Sequence, residues 1–185
     1  MELFEAMKKR ASFRRFKDEL PSDDEINIIL EAAYLAPHLA FHDMRLHVIT
    51  NPELLAEAQM NGERFNQQNN PMYMYKAPVW ILVSAIEREE GMPNTPYTAD
   101  MVKGNLYWTL GSLIQNMQLA ATSIGLGSCA MNTTVVALRD NPELARKLGI
   151  PEGHMPIGSM VLGYTDIPMK ERAVKKELLP TDFIK

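Results

Sequence analysis

The feature that most constrains this 185-residue chain is the run Val79–Ala85, Val-Trp-Ile-Leu-Val-Ser-Ala, apolar except at Ser84 and bounded by Pro78 and the charged stretch Glu87–Glu90. A half-solvated strand alternates polar and apolar residues, so an unbroken apolar run describes a strand buried on both faces. Such a strand occupies the centre of a sheet, and each side of that sheet needs cover. Helices supply it. Ser22 followed by Glu25 is a capping box, after which Ile26, Ile29, Leu30 and Ala33 recur at helical spacing until Pro37. From about Asn105 a longer stripe of Leu106, Leu110, Leu113, Met117, Ala120, Ala121 and Ile124 stops at Gly125 and describes a central helix.

Shorter elements fill the intervals. Arg45–Thr50 has strand character, and Asn51-Pro52 opens a helix that runs through about Met60. After Gly125-Leu126-Gly127 a short strand is expected to about Met131, then a helix capped by Asn141-Pro142 and ended by Gly149, then a strand over Gly158–Tyr164. Phe65–Tyr75 shows neither period, and Gly91–Ala99 reads as loop. No repeat or compositional break divides the chain, so residues 1–185 are expected to form a single domain of the α+β class, a small central sheet covered by helices.

A formal net charge of −4 gives no basic field to attract a phosphate backbone, which argues against a nucleic-acid partner. The lone cysteine, Cys129, excludes an intrachain disulfide and a multi-thiolate metal site, as expected of a cytoplasmic protein. The longest apolar run, Ala77–Ile86, falls short of the roughly 18 residues that span a bilayer. Met1–Arg10 intersperses charges with apolar residues, unlike a signal peptide, so no membrane partner is expected.

Four residues just past the first helix, Arg10, Ser12, Arg14 and Arg15, combine guanidinium forks with a hydroxyl. Local composition leaves two readings open, an anion cradle and a solvated basic face. His38, His42, Asp43 and His47 also crowd one short stretch, and on a helix His38 and His42 would share a face as paired zinc ligands do. Pro37 disfavours that helix and His47 falls in a predicted strand, so no metal site is assigned. Cys129 has no evident base partner and is read as a small buried strand residue. Met117 and Met160 are assigned to the core, Tyr107 and Trp108 to packing, and Glu87, Glu89 and Glu90 to a solvated loop. No side chain is assigned a catalytic role.

The string Lys9-Arg10-Ala11-Ser12-Phe13-Arg14-Arg15-Phe16, followed by a helix ending Glu31-Ala32-Ala33-Tyr34-Leu35-Ala36-Pro37, resembles the opening of the FMN-dependent nitroreductase family. Gln115–Ala121 leading into Gly125-Leu126-Gly127-Ser128-Cys129, then Leu148–Gly153 with Gly158–Tyr164, then Lys170-Glu171-Arg172, are similar to later blocks of that family in the same order. The resemblance implies an α/β sandwich that forms an intertwined homodimer, with FMN held noncovalently at the subunit interface and the tail 173–185 embracing the partner. It places Arg10, Ser12 and Arg172, and with them Lys170, at the flavin phosphate, and Arg14 nearer the pyrimidine edge of the ring. It also implies an oxidoreductase in which NADH or NADPH delivers reducing equivalents to flavin N5 and a small acceptor, a nitroaromatic or a quinone, takes them in a second, ping-pong step. The stretch His38–Arg45 departs from the family pattern, with His38 and Phe41 standing where a serine and an asparagine are usual. These two residues are assigned to the acceptor pocket. The same departure motivates an alternative, a flavin carrier of the same fold without turnover.

Overall fold

The computed structural model describes residues 1–39, 43–65 and 74–184. Six helices and four strands alternate along them: α1 (Leu3–Lys9), α2 (Asp23–Tyr34), β1 (Met44–Ile49), α3 (Pro52–Phe65), β2 (Val79–Ala85), α4 (Ala99–Ser123), β3 (Gly127–Ala130), α5 (Thr133–Arg139), α6 (Pro142–Lys147) and β4 (Met155–Gly163). The sheet is antiparallel throughout, in the order β1-β2-β4-β3. This is the expected α+β architecture.

Every residue of β2 is buried. Val79, Ile81, Val83 and Ala85 face a layer made by Ile26, Ile29 and Ala33 of α2 and by Leu106, Leu110, Leu113, Met117 and Ala121 of α4. Trp80 and Leu82 face the opposite layer, where Ala58 of α3, Ala137 and Leu138 of α5 and Leu144 of α6 close over them. Met117 and Met160 are fully buried in the first layer and Cys129 is buried in the second.

The capping signals act as read. Ser22 and Glu25 bond reciprocally at the start of α2, and Asn141 accepts from Leu144 N–H at 3.1 Å to open α6 behind Pro142. Four boundaries differ. The central helix starts at Ala99, because Thr98 accepts from Met101 N–H and caps it, where the two prolines upstream had suggested loop. Helix α3 runs on to Phe65, β4 starts at Met155, and α5 intervenes between β3 and α6. Helix α5 escapes a reading by periodicity because both termini lack a side-chain signal and its apolar residues form a short β-branched cluster.

Gly163 ends β4 against the Pro78 ring, and a Cβ there would lie 2.8 Å from Pro78 Cγ and Cδ. A proline ring cannot rotate away. Gly163→Ala is therefore expected to cost about 1–3 kcal/mol, the range for overpacking a filled core, measured as a lower urea midpoint with an unchanged m-value.

Candidate functional site

Helix α1 ends at Lys9, and the chain leaves it in an extended path along the β3 edge of the sheet. Ser12 makes a parallel bridge with Ser128, Phe13 N–H donates to Ser128 O at 2.9 Å, and Lys17 N–H donates to Tyr164 O at 2.8 Å. Phe13 is buried, so its ring anchors the segment while Ser12, Arg14 and Arg15 on either side stay exposed. Gly127 makes room for this approach, since a Cβ on it would sit 3.1 Å from Phe13 Cβ and Cγ. Cys129 lies beneath. Burial pushes its thiol up, while the charges of Arg14 and Arg10 and a hydrogen bond with Ser12 act the other way. The net direction keeps it a thiol, as expected of a structural residue.

The late basic residue comes back to the same place. Arg172 N–H donates to Lys8 O at 3.0 Å, and its guanidinium donates from Nη2 to Met7 O at 3.1 Å and from Nε to Lys8 O at 3.3 Å. These are carbonyls at the C-terminal end of α1, where the helix dipole favours a cation. The Arg10 guanidinium is held below its ordinary value by burial first and by the charge of Arg172 second. Among the described residues no carboxylate forms an ion pair with Arg10. Two like charges brought together repel, and an anion between them would relieve that repulsion. Ser128 Oγ is buried with no partner among the described residues, but as the strand neighbour of Cys129 it faces the opposite layer. Arg10, Ser12, Arg14 and Arg172 thus gather around one edge of the sheet. Lys170 is exposed, and its backbone N–H donates to Pro168 O at 3.0 Å.

The acceptor segment is less completely described. His38 is exposed, whereas Phe41 and His42 lie outside the described residues. Asp43 is buried and accepts from Arg88 Nη2 at 2.9 Å. His47 turns to Ser84 and His154. Glu87 is more than a solvated residue: it receives Lys103 at 2.7 Å and Tyr107 Oη at 3.3 Å, and these contacts hold its carboxyl below the usual range.

The chain belongs to the nitroreductase family, whose model matches residues 7–164. It is 33% identical over 170 residues to the "Putative NADH dehydrogenase/NAD(P)H nitroreductase" of Methanothermobacter thermautotrophicus, covering 89% of this chain and 78% of that protein. Among solved structures it resembles a nitroreductase with bound FMN from Desulfitobacterium hafniense, at 26% identity and a TM-score of 0.79 over the whole of both chains. A nitroreductase with bound FMN from Bacteroides fragilis matches at 26% identity and a TM-score of 0.75, over 99% of this chain and 100% of that one.

One polar cluster has only a faint signal in the sequence, the single serine inside the apolar run. Ser84 Oγ is fully buried on β2 and lies 2.8 Å from His47 Nε2 and 3.2 Å from His154 Nδ1. One hydroxyl proton serves one imidazole while the other imidazole donates to the oxygen, so two neutral rings satisfy the group fully. Burial lowers the His47 pKa, and the charges of His154 and Arg45 lower it further. The folded state therefore disfavours a proton that the unfolded chain accepts at about pH 6.5. The resulting stability is present above that pH and is lost as pH falls toward the depressed folded value. His47→Gln is expected to flatten the decline in urea midpoint between pH 7.5 and 5.5 relative to the unsubstituted protein.

Proposed function

We propose that this chain is an FMN-dependent oxidoreductase that transfers reducing equivalents from NAD(P)H to a small organic acceptor, a nitroaromatic or a quinone. The observation that carries the reading is the convergence of Arg10 and Arg172, from opposite ends of the chain, where among the described residues no carboxylate pairs with Arg10. A terminal phosphate dianion matches it, since charge-assisted bonds from guanidinium forks are about twice as strong as neutral ones. The FMN-bound relatives and the NAD(P)H-linked name of the curated relative support the same assignment.

In this reading Arg10, Ser12 and Arg172 bind the phosphate, with Lys170 contributing long-range positive charge. Arg14, exposed and two residues on from Ser12, lies toward the pyrimidine edge of the ring and offsets the negative charge that reduction brings there. His38 borders the acceptor. The flavin, when bound, supplies the redox chemistry, accepting reducing equivalents from NAD(P)H and passing them to the acceptor. The single cysteine fits a cytoplasmic setting, and among the described residues no helix is long and apolar enough to cross a membrane.

A homodimer belongs to the same proposal. Trp108 is 63% exposed on α4, where packing was expected, and Met101 on the same helix is also exposed. The tail presents Val174, Leu178, Leu179, Phe183 and Ile184, none of which is covered within one chain. Apolar groups grouped in this way mark an interaction surface. We assign the α4 face to the dimer seam and residues 173–185 to the partner's surface.

Two measurements test the proposal. Protein reconstituted with FMN is expected to be yellow and to bleach on anaerobic mixing with NADH or NADPH. Yellow protein that keeps its colour would instead indicate the carrier, and protein that stays colourless would refute FMN binding. Arg10→Ala is expected to weaken FMN binding by about 1.5–3 kcal/mol, some ten- to hundredfold in Kd. Deleting residues 173–185 is expected to shift the light-scattering mass toward a monomer and to lower the FMN content together.

A further inference from the structure

Residues 148–154 connect α6 to β4 and deliver the strand to the end of β2, where Met155 pairs with Ala85. Gly149 and Gly153 lie in this connection, each with a φ of +81°, in the left-handed region that favours glycine. Between them Ile150 is buried, and its N–H donates to Ala145 O at 3.1 Å. His154 N–H donates to Pro151 O at 3.1 Å and closes a turn on itself. Among the described residues, the side-chain hydrogen bond that ties 151–154 to the sheet is the contact of His154 Nδ1 with Ser84 Oγ at 3.2 Å. His47 Nε2, on β1, reaches the same oxygen at 2.8 Å. A Cβ on Gly149 would lie 3.7 Å from His47 Nδ1, so the connection also covers that ring. Three segments meet on one buried hydroxyl.

We propose that the His47–Ser84–His154 relay is an acid-operated latch, which holds residues 151–154 on the sheet while at most one imidazole is charged and releases them when both are. The hydroxyl has one hydrogen to give, so in the closed state one ring accepts from Ser84 Oγ and the other donates to it. A first proton is tolerated, because the donating ring can carry it on its outer nitrogen without losing a bond. A second proton turns the accepting nitrogen into a donor. Both rings then direct N–H at the oxygen, the fully buried serine hydrogen has no acceptor among the described residues, and two cations adjoin. Burial, with the charges of His154 and Arg45, already works against that proton on His47. The clefts flanking His154 carry Glu87, Arg88, Glu89, Asp100 and Lys103 on the α4 side, and Arg146 and Glu152 on the α6 side. Carboxylate, guanidinium and ammonium groups ordinarily titrate outside pH 5.5–7.5, so the imidazoles are what changes in that interval. Release of 151–154 lets His154 be hydrated as a cation, and because Gly153 and His154 line both clefts it joins the two. The latch does not rest on the flavin reading, since none of its residues belongs to the cationic edge along β3.

NMR on the full chain in the presence of FMN tests this. At pH 7.5 the imidazole nitrogen shifts are expected to show complementary rings, with a hydrogen on His47 Nε2 or on His154 Nδ1 but not on both. Between pH 7.5 and 5.5 the exchange of the His154 amide, corrected for its intrinsic pH dependence, is expected to quicken about three- to tenfold relative to amides of β2. That is the effect of one extra proton bound by the open form at the ordinary histidine value of about 6.5. His47→Gln and His154→Asn each keep one imidazole and put an amide where the lost nitrogen stood, so the rise in acid is expected to vanish in both. Ser84→Ala is expected to show the faster exchange already at pH 7.5. Hydrogens on both inner nitrogens at pH 7.5 would overturn the relay. Exchange that ignores pH in the unsubstituted protein would overturn the latch, as would a rise that persists in both histidine variants. Equal quickening of the β2 amides would also overturn it, because the chain would then be opening as a whole.

Discussion

The structure depends on one strand being hidden on both sides. Because all seven residues of β2 are buried, two helical layers have to close on it, and β1 and β4 have to satisfy its backbone on either edge. Polar chemistry is then confined to where the strand ends. Near its first residues lie Pro78, Gly163, Gly127 and the segment from Arg10 to Lys17. Beyond its last residues lie Asp43, Ile86, Arg88 and His154. The cluster of Arg10, Ser12, Arg14 and Arg172 and the Asp43–Arg88 pair are thus set at different places on one rigid support.

The cationic edge is assembled from chain ends, and among the described residues no carboxylate pairs with Arg10, so the two guanidinium groups repel each other. Arg172 is made tolerable beside Arg10 by the carbonyls of Met7 and Lys8, since the exposed end of a helix carries partial negative charge. The same contacts hold the start of the tail against α1. The exposed apolar tail is thereby linked mechanically to the segment that carries Arg10.

The elements most legible in the sequence were those whose signal is local. Ser22 with Glu25, Asn141 with Pro142 and the unbroken run of β2 each state a backbone requirement within a few residues, and each formed where it was read. Thr98 was missed because its cap lies behind Pro93 and Pro96, and α5 because two β-branched pairs resemble a strand as much as a helix. The site divided in the same way. Arg10, Ser12 and Arg14 stood out as a motif, whereas the contacts of Thr109, Arg88 and His154 are with partners some seventy, forty-five and seventy positions away.

What the sequence determined by itself was therefore the class of fold and the identity of the basic residues, because periodicity, capping and residue chemistry are properties of neighbours along the chain. The tertiary structure alone decided that Arg172 reaches α1 and so stands beside Arg10, that Ser84 is shared by two imidazoles, and that Asp43 is drawn to Arg88. Each of those facts is a meeting between distant segments, and such meetings follow from how layers pack against β2, which no local pattern encodes.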